Sequence, residues 1–303
     1  MSYDVLVIGG GPAGLSASIN VRARGRSALV VSNPLEENPL WRAEKVDNYL
    51  GLPGLSGAEM LAAMRRHAEQ AGVEFLAGKV LNAVQMPDAW YVSVGPDMYN
   101  ARAVVLAAGV ARGKKFAGEA ELLGRGVSYC ATCDGMLYRG REVAIVGGGN
   151  TAVGDALTLA RLAGRVTLIH RRDALRASAV YLDKLRENGV NIVWNTEVKA
   201  LQGDDRLTGL VLRNKVTGEE STLPVDGLFV AVGRRPETAL FRGQLETDEA
   251  GYLIADETTR TSLPGVYAVG DVRRKPVRQI LTAAADGAVA AHYIEEYLAG
   301  NRA

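Results

Sequence analysis

The sequence contains only two cysteines and three histidines among its 303 residues. Two cysteines exclude a fold that is held together by several disulfides. An excess of charge of one sign is also missing, because 35 basic and 34 acidic residues leave a net charge of +1. Nucleic-acid binding depends on a large basic excess, so this balance argues against a nucleic-acid partner.

Long hydrophobic runs are missing as well. No apolar stretch reaches the roughly 18 residues of a membrane span. The N-terminal sequence MSYDVLVIGGG has neither the basic region nor the long apolar segment of a signal peptide. We therefore expect a cytoplasmic protein without membrane contact. At about 150 residues per domain, the length predicts two domains.

Glycine, in contrast, is abundant, with 35 residues against an average of about 7%. The segment DVLVIGG at 4–10 predicts a short buried strand, and it runs into a glycine loop and then a helix. The same order recurs at 142–163, in EVAIVGGGNTAVGDALTLARLA. After about residue 240, further strand-like segments resume the first unit. This organisation predicts an α/β protein with two Rossmann-like three-layer domains, the second inserted into the first.

We place the first domain at 1–113 and 238–303, and the second at 114–237. The charged run RRK at 273–275 is expected to be a solvated loop, because nothing in its neighbourhood suggests burial.

The first glycine loop matches the dinucleotide fingerprint G-x-G-x-x-G. Gly9 permits the tight turn, Gly11 lets a diphosphate approach the backbone, and Gly14 lets the helix pack on the strand. The unpaired N–H groups of the helix, which begins near Pro12 and Ala13, would face the phosphates.

The second loop carries Gly147 and Gly149, with Ala152 in place of the third glycine and Asn150 and Thr151 between them. An acidic residue about 20 positions further on would bind a ribose 2′-hydroxyl. This sequence has arginines there instead, which suit a 2′-phosphate because a guanidinium is a forked, permanently charged donor. We therefore expect this loop to bind NADPH rather than NADH. The residues of this region are His170, Arg171, Arg172 and Arg176.

The corresponding position of the first unit is Ser32, which supplies neither an acid nor an arginine. This difference suggests a flavin nucleotide in one unit and a nicotinamide nucleotide in the other.

Both cysteines lie in one C-x-x-C motif, Cys130 and Cys133, which is followed by Asp134. In a protein of this class the motif indicates a redox dithiol or half of a zinc site. A zinc site needs about four ligands, so two chains would have to share it, and we expect no metal. Asp134 is a candidate acid–base group for the departing thiolate, and a helix cap is its alternative role.

Together these motifs resemble the low-molecular-weight thioredoxin reductase family along essentially the whole chain. The matching segments are GGGPAGLSA, GRGVSYCATCDG, VAIVGGGNTAV, HRRDALRA, GLFVAVG and GVYAVGDVRRKPVRQILTAAADGAVAA. The resemblance implies an FAD-binding domain built from both ends of the chain and a central NADPH-binding domain that carries the dithiol. It also implies a homodimer that passes electrons from NADPH through FAD and the dithiol to thioredoxin or a thioredoxin-like protein.

The resemblance further assigns individual residues. Cys133 matches the thiol next to the flavin, and Cys130 matches the thiol that attacks the partner disulfide. Asp271 would hold the ribityl and phosphate region of FAD, and Gln279 would lie near the isoalloxazine ring. The arginines at 171, 172 and 176 match the 2′-phosphate clamp. The other FAD-contact positions implied in this way are Asn48, Val272, Arg278 and Ile280.

One loop departs from the family pattern. Members usually have a Gly-Gly-Gln stretch that contacts FAD, whereas this chain reads NPLEENPLWRAEKVDNYLG. The loop resembles that of divergent relatives, some of which take electrons from ferredoxin or a second flavin. Trp41 is either an aromatic residue near the flavin or a packed surface tryptophan. A related flavoenzyme with such a donor, and a non-enzymatic nucleotide-binding regulator, are therefore the alternatives.

Overall fold

In a computed structural model the chain is described over residues 2–112, 116–177 and 180–300. It divides into two compact units, Met1–Ala111 with Arg235–Ala303 and Arg112–Arg234. The expected boundary between residues 113 and 114 lies outside the described residues. Two short strands, β7 (Val110–Arg112) and β16 (Arg234–Pro236), pair with each other where the chain passes between the units.

The first unit is built on a seven-stranded sheet, with the order β3-β2-β1-β6-β5-β4 and β17 also paired with β6. The first half of β6 pairs antiparallel with β5, while its second half pairs parallel with β17. One long strand therefore belongs to both a meander and a parallel sheet. The strands are β1 (Ser2–Ile8), β2 (Ala28–Ser32), β3 (Glu74–Ala77), β4 (Val80–Gln85), β5 (Trp90–Val94), β6 (Asp97–Leu106) and β17 (Val266–Ala268).

Alternation along β1 explains the two cores of this unit. Side chains of successive strand residues point to opposite faces, and the strand is buried on both. Val5 and Val7 join the core that faces the helices, while Leu6 joins the core on the other side, which contains Trp90 and Phe241. The helices are α1 (Pro12–Arg22), α2 (Gly57–Gln70) and α7 (Ile280–Gly300), and single turns of 3-10 helix lie at Leu35–Glu37, Pro39–Arg42, Ala239–Phe241 and Gly270–Val272.

Helices α1 and α7 lie against each other on the sheet at very close range. A Cβ atom on Gly287 would sit 2.4 Å from the carbonyl oxygen of Ala13, so only glycine fits there. This contact places the beginning of α7 beside the glycine loop at the beginning of α1. No helix within the described ranges is long and apolar enough to cross a membrane.

The second unit repeats the strand–loop–helix order. Its parallel sheet has the order β11-β10-β9-β15-β8, and a separate antiparallel sheet has the order β12-β13-β14. The strands are β8 (Val127–Ser128), β9 (Glu142–Gly147), β10 (Arg165–Ile169), β11 (Asn191–Val193), β12 (Thr196–Gln202), β13 (Gly209–Asn214), β14 (Glu220–Pro224) and β15 (Gly227–Ala231). The helices are α3 (Glu119–Leu122), α4 (Ala131–Asp134), α5 (Asn150–Leu159) and α6 (Val180–Glu187), with a 3-10 turn at Gly135–Tyr138.

The charged run at 273–275 is solvated only at Arg274, so the expectation of a solvated loop is wrong for the other two residues. The side chains of Arg273 and Lys275 are only 7% and 8% exposed. Both bond to Asp286 of α7, at 3.1 Å from the Arg273 Nη1 atom and 2.7 Å from the Lys275 Nζ atom. Asp286 also accepts the backbone N–H of Gly270 at 2.8 Å. Asp286 lies 11 to 13 residues further along the chain, and its carboxylate allows the two cations to be buried. No local sequence pattern indicates this pairing.

Candidate active site and nucleotide loops

The first glycine loop is as tight as its fingerprint predicts. Gly9 has a φ of +115°, and a Cβ atom there would lie 2.3 Å from the carbonyl oxygen of Ala107 at the end of β6. A Cβ atom on Gly14 would lie 2.0 Å from the carbonyl oxygen of Gly9. Side chains at these positions would push α1 away from β1, so both glycines are required sterically.

The N-terminus of α1 is open to a ligand. Its N-cap is Gly11, and no side chain among the described residues caps it. By contrast, α2 is closed by a capping box in which Ser56 and Glu59 bond to each other's backbone N–H groups. The first N–H groups of α1 and the positive end of its dipole therefore face outward, as an anion such as a diphosphate requires.

Residues from the other end of the chain border the same loop. A Cβ atom on Gly270 would lie 2.8 Å from the Cβ of Ala13. Asp271 belongs to the 3-10 turn that contains Gly270, immediately after β17. The structure thus brings Asp271 next to the beginning of α1, although 257 or more residues separate the two segments in sequence.

Arg278 and Gln279 lead into α7, which begins at Ile280. The Arg278 guanidinium lies 4.0 Å above the ring of Tyr252, and its Nε donates to the carbonyl oxygen of Asp271 at 3.4 Å. The backbone N–H of Gln279 donates to Thr282, which leaves the Gln279 side chain half-buried at the beginning of the helix.

The remaining predicted positions of this unit are placed differently. The side chain of Val272 is part of the hydrophobic core, so only its backbone is available to a ligand. Asn48 is exposed within the loop that is closed by the bridge between Val46 and Leu55, and it bonds to no residue the structure describes. Ser32 ends β2, and its Oγ lies 2.8 Å from the position of a Cβ on Gly10.

The second glycine loop has the same form. Gly149 is the N-cap of α5, and it too lacks a side-chain cap within the described part of the chain. A Cβ atom on Gly147 would lie 2.6 Å from the carbonyl oxygen of Ala231 and 2.7 Å from the Cβ of Ala152. Asn150 and Thr151 form the first turn of α5, with their backbone N–H groups at the mouth of the loop.

The ring of His170 contacts the backbone of this loop. Its ring nitrogens lie 2.8 Å from the carbonyl oxygen of Gly147 and 3.0 Å from that of Ala174, and the residue is 6% exposed. A Cβ atom on Gly148 would lie 2.0 Å from the ring. With both nitrogens against backbone carbonyls, His170 is placed to position the loop rather than to contact a nucleotide directly.

The three arginines that follow are exposed. Their guanidinium groups bond to no acceptor in the described residues, and Arg176 Nη2 lies 3.8 Å from the position of a Cβ on Gly149. Arg176 is thus an unpaired cation beside an open helix N-terminus, and Arg171 and Arg172 directly follow His170, whose ring contacts the same loop. Such cations suit a group more negative than a diphosphate alone. The residues are Arg171, Arg172 and Arg176.

The two cysteines form a disulfide with a Cα–Cα distance of 5.3 Å. Cys130 is half-buried and is the N-cap of α4, while Cys133 is exposed. The backbone N–H of Cys133 lies 3.2 Å from the Cys130 Sγ, and the Thr132 hydroxyl lies 3.4 Å from the same sulfur. A thiolate at Cys130 would therefore have two hydrogen-bond donors within reach, which stabilise the charged form.

Asp134 is held one turn after the first cysteine. Its Oδ2 accepts a hydrogen bond from the Ser128 hydroxyl at 2.6 Å, and Ser128 also accepts the backbone N–H of Cys130 at 3.1 Å. Ser128 thus links the carboxylate to the dithiol segment, which the sequence did not indicate. No group of three or more His, Cys, Asp or Glu residues that could hold a metal occurs in the described parts of the chain.

Comparison with known proteins decides the family. The model of the pyridine nucleotide-disulphide oxidoreductase family matches residues 3–287. A thioredoxin reductase of Listeria monocytogenes is 40% identical over 299 residues, which cover 98% of this chain and 94% of the relative. The chain belongs to the thioredoxin reductase family.

Two further relatives bear on structure and partners. The crystal structure of thioredoxin reductase from Streptococcus pyogenes superposes with a TM-score of 0.94 at 35% identity, covering 99% of both chains. A bifunctional thioredoxin reductase/thioredoxin of Mycobacterium leprae is 41% identical over 302 residues, which are 98% of this chain and 66% of that relative. The predicted family and α/β fold class are thereby confirmed.

Thioredoxin reductases use FAD and NADPH, and the two loops fit these cofactors. The open N-termini of α1 and α5 suit two dinucleotides, and Arg176 is an unpaired cation beside the second one. The sequence reasoning missed Asn38, whose Nδ2 lies 3.2 Å from the position of a Cβ on Gly11. The sequence indicates this residue only through its place in the loop that departs from the family pattern.

Proposed function

We propose that this protein is an NADPH-dependent thioredoxin-disulfide reductase. The observation that carries the proposal is an accessible Cys130–Cys133 disulfide in the same unit as a glycine loop flanked by unpaired arginines. A reduced nucleotide donates the electrons in such a reaction, and an exchangeable disulfide passes them to the partner protein. When bound, FAD supplies the chemistry that couples a two-electron hydride donor to a disulfide.

The first unit holds FAD in this proposal. Gly9, Gly11 and Gly14, with Pro12 and Ala13, form the diphosphate loop, since the open end of α1 lies there. The other proposed contacts are Ser32, Asn48, Asp271, Val272 through its backbone, Arg278, Gln279 and Ile280. The first unit, predicted at 1–113 and 238–303, is accordingly the FAD-binding domain.

The second unit, predicted at 114–237, is the NADPH-binding domain. Gly147, Gly149, Asn150, Thr151 and Ala152 surround the diphosphate at the beginning of α5. Arg171, Arg172 and Arg176 bind the 2′-phosphate in this proposal, because they are unpaired cations, Arg176 lies beside that helix end, and the other two follow His170. His170 keeps the loop in place through the two carbonyl groups that it contacts.

Cys130 attacks the disulfide of the partner protein once the dithiol is reduced. Its thiolate forms a mixed disulfide, and one partner sulfur leaves and takes a proton. The Cys133 thiolate then attacks Cys130, which re-forms the Cys130–Cys133 disulfide and releases the second partner thiol. Attack by Cys130 is supported by the donors at its sulfur, the Cys133 N–H and the Thr132 hydroxyl.

Asp134 serves as the acid–base group for the departing thiolates. The Ser128 hydroxyl donates to Oδ2 and so fixes the orientation of the carboxylate relative to the dithiol segment. A carboxylic acid held at one position transfers a proton more effectively than one that rotates freely.

Thioredoxin is the proposed partner, and an apolar rim beside the disulfide supports protein docking. Met136 and Leu137 follow the dithiol in the chain and are 60% and 46% exposed. Apolar side chains of this size at a surface commonly mark a protein contact. The Mycobacterium leprae relative carries both activities in its name, thioredoxin reductase and thioredoxin. Homodimerisation and a cytoplasmic location complete the proposal.

Anaerobic titration tests the electron path. NADPH added to the FAD-loaded protein should bleach the flavin band, and subsequent oxidised thioredoxin should restore it. If reduced ferredoxin bleaches the band and NADPH does not, the proposed donor is wrong.

Single-cysteine variants test the order of the thiols. A thioredoxin variant with one active-site cysteine, activated as a mixed disulfide with an aryl thiol, reports attack by releasing the coloured aryl thiolate. Cys133→Ser should form a covalent adduct rapidly, whereas Cys130→Ser should form none but should still bleach with NADPH. The reverse pattern would exchange the proposed roles.

A further inference from the structure

Asn38 occupies the part of the first unit where this chain departs from the Gly-Gly-Gln pattern. It lies between two 3-10 turns, Leu35–Glu37 and Pro39–Arg42, and is the N-cap of the second. Because Pro39 follows it, the backbone of Asn38 is restricted to extended conformations, and its φ and ψ are −68° and 132°. The position of its side chain is therefore largely determined by the backbone.

The orientation of the Asn38 amide is set by one hydrogen bond. Its Oδ1 accepts the backbone N–H of Leu40 at 3.0 Å, which requires an oxygen at that end of the group. The NH2 end then points the opposite way, towards α1. Nδ2 lies 3.2 Å from the position of a Cβ on Gly11, and it is the nearest atom to that position outside α1 and the residues adjacent to Gly11.

The NH2 group has no acceptor among the residues that the structure describes. Asn38 is half-buried, so this donor gains less from water than a fully exposed one. The nearest carboxylate in the chain, Glu37, is engaged by the side chain of Asn33 at 2.8 Å. A free amide donor beside the open N-terminus of an 11-residue helix adds to the N–H groups that already face outward there.

We propose that Asn38 donates a hydrogen bond from Nδ2 to the diphosphate of FAD at the beginning of α1. This inference rests on the proposed FAD site of the first unit. Asn38 is a binding residue for the cofactor. Pro39 restricts its backbone, and the Leu40 N–H fixes the orientation of its amide.

The variant Asn38→Asp separates this contact from the local cap. Aspartate keeps an oxygen for the Leu40 N–H, but it replaces the donor with a negative charge that faces the diphosphate. Asn38→Ala removes both the cap and the donor. Asn33→Asp is the matched control, because it adds the same charge to the same loop at a residue whose side chain bonds to Glu37.

The measurements are the FAD dissociation constant of the flavin-depleted full chain, from flavin fluorescence, and the melting temperature of the same apoprotein. For Asn38→Asp we expect a loss of FAD affinity of roughly a hundredfold, because the donor is lost and a negative charge faces the diphosphate, with an unchanged apoprotein melting temperature. Asn38→Ala should lose roughly tenfold in affinity and should lower the melting temperature. Asn33→Asp should change the affinity less than about threefold.

Two results would overturn the inference. One is an Asn38→Asp variant that binds FAD as tightly as the wild type. The other is an affinity loss in both Asn38 variants that follows an equal fall in apoprotein stability, which would make the residue purely structural. If the wild-type apoprotein takes up no FAD at all, the proposed function itself fails, and that outcome is recognised before any variant is compared.

Discussion

The two units share one nucleotide-binding scaffold and differ in how it is completed. In each, a buried strand leads through a glycine loop into a helix whose N-cap glycine has no side-chain cap in the described structure, Gly11 for α1 and Gly149 for α5. The common part can bind a diphosphate, because that interaction needs only backbone N–H groups and space. What distinguishes the ligands must therefore lie outside the shared loop.

The third fingerprint position shows how closely each helix approaches its loop. A Cβ on Gly14 would lie 2.0 Å from the Gly9 carbonyl oxygen, whereas Ala152 has a Cβ and is fully buried beside Gly147. The helix of the first unit thus packs tighter against its loop than the helix of the second.

The end of the second strand shows the larger difference. Ser32 presents a small hydroxyl beneath the first loop, while His170 presents a ring beneath the second and is followed by the arginines. The nucleotide residues that we propose for the second unit all come from 147–176, whereas those proposed for the first unit also come from near 38, 271 and 279. One site is local in sequence, and the other is assembled by tertiary structure.

The largest effect is expected from Asp286→Ala, which removes the carboxylate shared by Arg273 and Lys275. Two buried cations would lose their partner, so the free energy of unfolding should fall by about 3–5 kcal/mol in denaturant titrations. Glu296→Ala is the control, because Glu296 lies on the same helix as Asp286 but forms an exposed ion pair, with Arg260. Its loss should change the free energy of unfolding by less than about 1 kcal/mol. Equal losses in the two variants would show that burial of the cluster is unimportant.

A smaller effect is expected when the cations that distinguish the second unit are removed. Arg171→Ala combined with Arg172→Ala should lower kcat/KM for NADPH roughly a hundredfold and that for NADH less than about threefold, because only NADPH carries the 2′-phosphate. Arg161→Ala combined with Arg165→Ala, at two exposed arginines between α5 and the body of β10, controls for the loss of two positive charges. Equal losses with both nucleotides would mean that the two units do not differ in this way.

Gly14→Ala places the residue of the second unit into the first. The methyl group would lie 2.0 Å from backbone oxygen, so α1 must shift, at about 1–3 kcal/mol of stability. The purified variant should contain far less FAD than the wild type, as measured from its visible absorbance. A normal FAD content would show that the two loops are interchangeable at this position.

Ala152→Gly makes the opposite exchange and should have the smallest effect. Loss of one methyl group near the start of α5 should lower stability by about 1 kcal/mol or less and leave the KM for NADPH within about twofold. Ala156→Gly, at another fully buried alanine of α5, gives the combined cost of helix propensity and one buried methyl group at a position further along the helix. A KM that rises much further only in Ala152→Gly would show that the methyl group shapes the loop.

The parts of the fold and site that could be predicted from sequence are those whose residues are close together in the chain. Both glycine loops, the C-x-x-C pair and the arginine run are short motifs with a physical meaning at fixed spacing. Asn38 and the buried Arg273–Asp286 pair depend on contacts between distant segments, and no local pattern reports them. His170 and Val272 were predicted as cofactor residues from position, but their side chains face a loop and a core.

The close contact of α1 with α7 has a consequence for how the protein is made. Translation delivers residues 280–300 only after the whole second unit has emerged, and domains generally fold as units in the order of synthesis. The second unit can therefore fold on the ribosome while the first sheet still lacks β17 and α7. Because the turn that contains Asp271 borders the first glycine loop, the proposed flavin site is complete only after this late segment has been made. Loss of the late helix in a truncated product would leave a folded dithiol unit attached to a first unit that cannot be completed.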